Sequence, residues 1–101
     1  MNCKQGDLAY IRKALRQVNI GKIVTVKSLL GSYSKDETYL WNGEMFHAYD
    51  TDVHWVIESQ SGIETQYGPS REAVIMDSWL IPIRTDNLEL DEKIKELDLV
   101  E

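Results

Sequence analysis

The chain of 101 residues has a single cysteine, Cys3, so it cannot form an intramolecular disulfide bond. It has no apolar run near the roughly 18–20 residues that a membrane-spanning helix needs, and residues 1–7 lack the apolar core of a signal peptide. A lone thiol in such a chain is typical of a reducing compartment. We therefore expect a cytoplasmic protein without a membrane partner, in which Cys3 packs as a small apolar side chain.

Recognisable catalytic motifs are also absent. The sequence contains no P-loop, no Gly-x-Gly-x-x-Gly, no Gly-x-Ser-x-Gly and no His-Glu-x-x-His. Cys3 has no nearby histidine in the sequence to act as its base, and the paired acids Asp36 and Glu37 fall in a polar loop. The sequence predicts a protein that is not an enzyme, with no catalytic residues and no cofactor.

Charge is distributed unevenly along the chain, whose formal net charge is −6. Residues 1–35 carry seven basic side chains and one acidic one, whereas residues 36–84 and 85–101 are both strongly acidic. A mostly negative surface repels phosphate backbones, so nucleic acid is a disfavoured partner. The alternative that the basic N-terminal face binds nucleic acid stays open. That face would consist of Arg12, Lys13, Arg16, Lys22 and Lys27.

Short stretches of β-branched and aromatic residues between turn residues predict a mainly β domain over residues 1–84. Strands are expected at 8–13, 22–30, 53–58, 63–67, 73–76 and 81–84, with a tight turn at 59–62 and a break at 68–70. The pair Asn42-Gly43 predicts a small hairpin of 38–41 with 44–47. A helix over 8–18 is an alternative, because apolar residues there also recur at helical spacing.

The end of this domain and the segment after it have distinct patterns. Asp77 is expected to begin a single helical turn and to accept its unpaired amides, and Pro82 suits an edge strand because it cannot donate to a ladder. Residues 85–101 predict a short acidic amphipathic helix. Since so short a helix is marginal in water, we expect it to dock on the barrel, to dock on a partner, with a homodimer as one possibility, or to fray. Its apolar stripe consists of Leu88, Leu90, Ile94 and Leu97.

The order of these segments resembles the SH3-like barrels, which implies a barrel of five or six strands with a 3-10 turn before the last strand. The segments are Gly-Asp-Leu-Ala-Tyr-Ile, Ile-Gly-Lys-Ile-Val-Thr-Val, Trp-Val-Ile-Glu and Asp-Ser-Trp-Leu-Ile-Pro-Ile-Arg. Residues 3–84 are similar, more narrowly, to small and mostly uncharacterised phage and prophage proteins with Cys-x-x-Gly-Asp-x-Ala and Pro-Asp-x-x-Leu-Arg-Pro-Ile. Met76 and Ile81 depart from that pattern, where it has Pro and Arg. The resemblance implies a fold and transfers no catalytic residue.

Aromatic residues are concentrated between residues 33 and 49, in a polar and acidic segment. Trp55 and Trp79 lie in apolar stretches and are expected in the core. Exposed Tyr and Trp side chains are frequent anchors of protein interfaces, so this segment predicts a binding surface for an unidentified protein partner; the alternative is that it packs onto its own barrel. The predicted anchors are Tyr39, Trp41, Phe46 and Tyr49. The acids predicted to steer association are Asp36, Glu37 and Glu44.

A cluster of metal-competent side chains lies just after the aromatic segment. His47, Asp50, Asp52 and His54 fall within eight residues. Their spacing fits no strong metal-site pattern, and Asp-x-Asp is common in turns because Asp bonds to its own backbone. We interpret this stretch as a polar loop without a metal ion. Because His54 lies between Val53 and Trp55 on a predicted strand, this interpretation places its side chain in water.

Overall fold

Seven β-strands and two short 3-10 helices form residues 1–83, the residues that this computed structural model describes. The strands are β1 (Leu8–Ile11), β2 (Ile23–Tyr33), β3 (Thr38–Trp41), β4 (Glu44–His47), β5 (Asp52–Thr65), β6 (Gly68–Met76) and β7 (Leu80–Ile83). The 3-10 helices are Gln17–Asn19 and Asp77–Trp79. The prediction of a mainly β chain is confirmed, and the helix considered for residues 8–18 is wrong. The predicted helix within 85–101 lies outside the described residues.

Five strands form one antiparallel sheet in the order β6-β5-β2-β1-β7. Register shifts occur in β2 between Val26 and Ser28 and between Leu29 and Gly31. Such bulges bend a strand and increase its twist. In residues 1–83 the two outer strands, β6 and β7, are not hydrogen-bonded to each other, so the sheet is not closed. Pro82 lies on the outer strand β7, as its missing N–H predicts.

The remaining strands, β3 and β4, form a separate two-stranded hairpin between β2 and β5. Trp41 pairs with Glu44 across a two-residue turn, and Asn42 and Gly43 have φ values of 54° and 78°. A turn with both central residues at positive φ matches the twist of the strands on either side. The hairpin predicted from Asn42-Gly43 is therefore confirmed.

The core lies on one face of the five-stranded sheet and receives side chains from every strand of it. In β1 and the first part of β2 alternate positions are buried, as the two-residue period of a strand requires, whereas β5 is buried continuously from His54 to Ile57. Trp55 and Trp79 are both buried, as predicted from their apolar surroundings, and the side chain of Cys3 also packs in the core. The core cluster consists of Cys3, Ala9, Ile11, Val24, Val26, Trp55, Ile57, Ile63, Ala73 and Leu80.

The path of β5 and β6 corrects two predictions. The chain does not reverse at residues 59–62; β5 continues through them with a register shift between Glu58 and Ile63. Gly62 adopts a φ of 91° there, so its conformational freedom serves a bulge within a strand and not a hairpin turn. The reversal comes later, between Thr65 and Gly68, and the predicted break at 68–70 is the first part of β6.

A buried carboxylate joins the N-terminal residues to the 3-10 helix before β7. Asp77 accepts hydrogen bonds from the backbone amides of Asn2 at 2.6 Å and Cys3 at 2.8 Å, and from the Trp55 indole nitrogen at 2.8 Å. Its side chain thus binds amides of a distant segment, whereas the sequence predicted that it would cap its own helical turn.

No helix in residues 1–83 is long and apolar enough to cross a membrane.

Candidate functional site

A cleft of about 580 Å³ runs between the β3–β4 hairpin, the strand β6 and the loop that joins β1 to β2. Its floor is apolar and includes Ile57, Ile63 and Ile75. Concave sites with an apolar floor and a few polar groups are the usual places where proteins bind other molecules. This cleft is therefore the candidate site in the described part of the chain.

The hairpin wall of the cleft is a row of packed aromatic rings. Tyr39 stacks on Tyr33 with centroids 4.7 Å apart and on Phe46 at 5.6 Å. Trp41 lies 6.0 Å from Phe46, and Tyr67 meets Phe46 edge-on at 5.4 Å. Tyr33, Tyr39, Trp41 and Phe46 are only half-buried. Packed rings that keep one exposed face offer apolar surface to a partner. Because packing already restricts these side chains, binding costs them little further conformational entropy.

One face of the hairpin supplies most of its contribution to the cleft. Tyr39, Trp41, Glu44 and Phe46 line it from that face, and Asn42 and His47 also line it. Leu40 does not line it and is 66% exposed. The far end of the hairpin is held by the Tyr67 hydroxyl, which donates to the Met45 carbonyl at 2.8 Å. Sequence reasoning missed Tyr67, because it lies in the β5–β6 turn and nothing in its local sequence indicates a contact with the hairpin.

The base of the hairpin is closed by a turn rather than by the aromatic rings. The Asp36 amide donates to the Ala48 carbonyl, and the Ala48 amide donates to the Glu37 carbonyl, both at 2.8 Å. The Glu37 carboxylate accepts from the Ser34 amide at 2.9 Å. Glu37 thus has a local structural contact that its predicted steering role did not include.

Five of the seven residues predicted to bind a partner line the cleft. They are Tyr39, Trp41, Glu44, Phe46 and Tyr49. Asp36 and Glu37 lie in the turn at the base of the hairpin and do not line it. The structure therefore brings the four predicted aromatic anchors into one cleft with one of the three predicted acids.

The opposite wall is held in place by Asn19, a buried residue of the first 3-10 helix. Its side-chain amide donates to the Glu64 carbonyl at 2.8 Å and accepts from the Glu64 amide at 3.0 Å. These two hydrogen bonds resemble the pair that two directly opposite residues form between antiparallel strands. It ties the loop between β1 and β2 to the end of β5, and so positions Ala14, Leu15 and Arg16 along the cleft.

Carboxylates outnumber cations among the cleft residues. Glu44 and Glu64 are exposed, and Glu72 also lines the cleft, whereas Arg16 is the one Lys or Arg side chain among the described lining residues. Burial raises the pKa of the Tyr39 phenol to about 12, with a further contribution from Tyr33. Tyr39 is therefore neutral at physiological pH, and the carboxylates set the charge of the site.

Among the residues weighed as metal ligands, His47 lines the cleft and Asp50 accepts a hydrogen bond from the Thr51 amide. His54 is buried with its ring edge-on to Tyr33 and Tyr39 at 5.3 and 5.5 Å, which corrects the expectation that it faces water. Burial by itself raises the pKa of Asp52, but hydrogen bonds from Ser78 and Val53 outweigh it, and the pKa lies below its ordinary value. Within residues 1–83, no three His, Cys, Asp or Glu side chains are grouped to hold a metal ion.

Most of the basic residues that were considered for binding nucleic acid contact groups within the protein, either a backbone carbonyl or an aromatic ring. Lys22 donates to the Gly62 carbonyl at 2.8 Å, and Arg12 donates to the Ser78 carbonyl at 2.7 Å. The ammonium of Lys13 lies 5.3 Å from the centre of the Trp79 ring.

Lys27 and Arg16 complete that basic set. Lys27 lies between two carboxylates: it forms an ion pair with Glu72 and lies 3.5 Å from Glu58. Arg16 lines the cleft. The field around Lys27 is therefore not basic, and this geometry gives the alternative no specific support.

No protein-family model, curated protein or solved structure matches this chain. The function must therefore be argued from the cleft itself.

Proposed function

We propose that the chain is a non-enzymatic protein-interaction module with an SH3-like fold, which binds a partner protein in the cleft beside the β3–β4 hairpin. The observation that carries this proposal is the row of half-buried rings formed by Tyr39, Phe46 and Trp41 along a cleft with an apolar floor. Aromatic anchors near a preformed pocket are where binding energy concentrates at interfaces.

The strand order supports the SH3-like part of the proposal. The five-stranded antiparallel sheet in the order β6-β5-β2-β1-β7 and the 3-10 helix between β6 and β7 support it, although the sheet is not closed into a barrel within residues 1–83. The phage or prophage origin, and a reducing cytoplasmic location in which the Cys3 thiol stays reduced, belong to the same proposal and rest on the sequence resemblance and composition.

Charge supports a partner with a basic surface. The exposed carboxylates Glu44 and Glu64 border the cleft, and the whole chain has a net charge of −6. Complementary charge steers diffusional encounter and disfavours partners of the same sign. A phosphate backbone carries the wrong sign for this site, whereas a Lys- or Arg-rich protein segment carries the right one.

The test is an affinity capture from a lysate of the source cells with three forms of the chain: wild type, Trp41→Ala and Leu40→Ala. Trp41 lines the cleft and Leu40 is its neighbour on the opposite face of β3, so the pair is matched in position. We expect a protein that is retained after nuclease treatment by wild type and Leu40→Ala and lost with Trp41→Ala.

The sizes of the changes in binding affinity and in thermal stability should distinguish a role of Trp41 in binding from a role in folding. Trp41→Ala should weaken binding by about 2 kcal/mol or more while leaving the melting curve almost unchanged. Equal losses of stability and of binding would assign Trp41 to the core of the hairpin instead. Recovery of the protein by Trp41→Ala, or its loss on nuclease treatment, would refute the proposed site.

A further inference from the structure

The outer edge of β6 forms one side of the cleft. Residues Gly68–Ser70 and 72–76 all line it, which includes positions that point to both faces of the sheet. Side chains of one face alone would contribute every second residue. The cleft therefore runs along the backbone edge of β6 and not only over its side chains.

That edge has no strand beside it in residues 1–83. β6 pairs with β5 on one side, and no backbone hydrogen bond joins it to the hairpin or to the loop between β1 and β2. The Glu72 amide turns to the hydroxyl of Ser70 in its own strand, at 3.2 Å. The alternate amide and carbonyl groups of an edge strand point away from its neighbour and can pair with an added chain.

The two edges of the sheet differ in how they are protected. Proline within an edge strand blocks pairing, and β7 carries Pro82 in its middle. The proline of β6, Pro69, lies at its beginning, so every residue of Ser70–Met76 has an amide N–H. At about 3.3 Å per residue, this stretch is about 20 Å long.

We propose that the cleft takes its partner as an extended segment that adds as a β-strand to the outer edge of β6. This inference rests on the proposed function and names the form of the ligand. Alternate side chains of the added strand contact the rings of Tyr39 and Phe46, and Lys or Arg side chains of the segment meet Glu44 and Glu64.

The charge part of the proposal has a matched control. Glu44 and Asp36 are both exposed, but Glu44 lines the cleft and Asp36 does not. Glu44→Gln should weaken binding of a basic segment about three- to tenfold, with a smaller effect in high salt. Asp36→Asn should leave binding unchanged; Asn tolerates the φ of 68° at this position.

The probe is a linear peptide of ten residues, selected from a random display library on the full chain and measured by fluorescence polarisation. Each backbone amide of the selected peptide is then methylated in turn. Strand addition uses the donors of alternate residues only. We expect at least a tenfold loss of affinity at every second position over the contact and little loss between them.

A second measurement follows the backbone amides of the protein rather than those of the peptide. Amide hydrogen exchange of Ser70–Met76, with and without the peptide, should show added protection at alternate residues of β6. If a peptide binds but the affinity losses or the added protection do not alternate along the strand, strand addition is overturned. A library that yields no binding peptide overturns it too.

The outcomes also separate this inference from the function on which it rests. A peptide that is lost with Trp41→Ala but shows no alternation leaves the interaction site standing and removes the strand-addition geometry. A peptide that binds Trp41→Ala as well as wild type shows that the hairpin cleft is not the site, so both proposals fail.

Discussion

The carboxylate of Asp77 lies 2.8 Å from the backbone amide of Cys3, although 74 positions separate the two residues in the chain. The same carboxylate accepts from Asn2 and from the indole of Trp55. The segment that begins at Cys3 and the segment that includes Asp77 thus meet at one buried hydrogen-bond cluster. We infer that this cluster holds the start of the chain against the end of the sheet.

Asp77→Ala should destabilise the protein strongly. The change leaves the amides of Asn2 and Cys3 and the Trp55 indole without this acceptor, and each unsatisfied buried donor costs about 1–3 kcal/mol. Because Asn2 is exposed and water replaces part of the loss, we expect about 2–4 kcal/mol in urea unfolding. Asp50→Ala, whose exposed carboxylate accepts from the amide of Thr51, is the control and should cost less than about 1 kcal/mol. A similar cost in both variants would contradict the role of Asp77.

Asn19→Ala should loosen the loop wall of the cleft. Two hydrogen bonds to Glu64 are lost, so the free energy of unfolding should fall by about 1–3 kcal/mol. The Glu64 amide should also exchange faster with solvent, which shows that the loss is local to this contact. Gln17→Ala, an exposed neighbour on the same 3-10 helix, should change neither quantity. Unchanged exchange at Glu64 in Asn19→Ala would show that this pairing does not hold the loop.

Tyr39 should ionise far above the range of an exposed tyrosine. Burial raises its pKa to about 12, so the difference between the ultraviolet titrations of wild type and Tyr39→Phe should have its midpoint near that value. The neutral phenol is favoured in the folded state. Its contribution to stability is complete below the ordinary pKa of about 10 and is lost as pH rises toward 12. A midpoint near 10 in protein that circular dichroism shows to be folded would mean that the ring row is open to water.

Asp52 should make the protein more sensitive to acid. Its pKa is below the ordinary value of 3.8 in the folded state, so its contribution is present above that value and is lost as pH falls through the lowered pKa. At neutral pH, wild type should be more stable than Asp52→Asn in urea unfolding. The difference between the two should shrink below about pH 4, where the carboxylate becomes protonated. A difference that does not vary with pH would assign the effect to shape and not to charge.

Features decided by short-range chemistry were predicted well from the sequence. Asn42 and Gly43 both tolerate positive φ, so they specify a hairpin turn without help from the rest of the chain. Trp55 and Trp79 lie in apolar stretches that are buried in any compact arrangement. The same local character allowed four cleft aromatics to be named in advance.

Features decided by distant partners were predicted less well. Gly62 and the Gly68-Pro69 pair indicate turns by composition, yet β5 and β6 extend across them because their ladder continues. Strand pairing with a neighbour can outweigh local turn preference. His54 was expected in water, but Tyr33 at the end of β2 and Tyr39 of the hairpin pack against its ring.

The amino-acid sequence alone determined the β character of residues 1–83 and the hairpin turn, because these follow from side-chain shape and backbone preference within a few residues. Only the tertiary structure decided that Tyr39, Trp41 and Phe46 line one cleft with residues of β6, that Glu37 belongs to the turn at the hairpin base, and that Asp77 binds the N-terminal amides. These relationships join residues far apart in the chain. They arise because burial and hydrogen bonding must be satisfied for the whole chain at once.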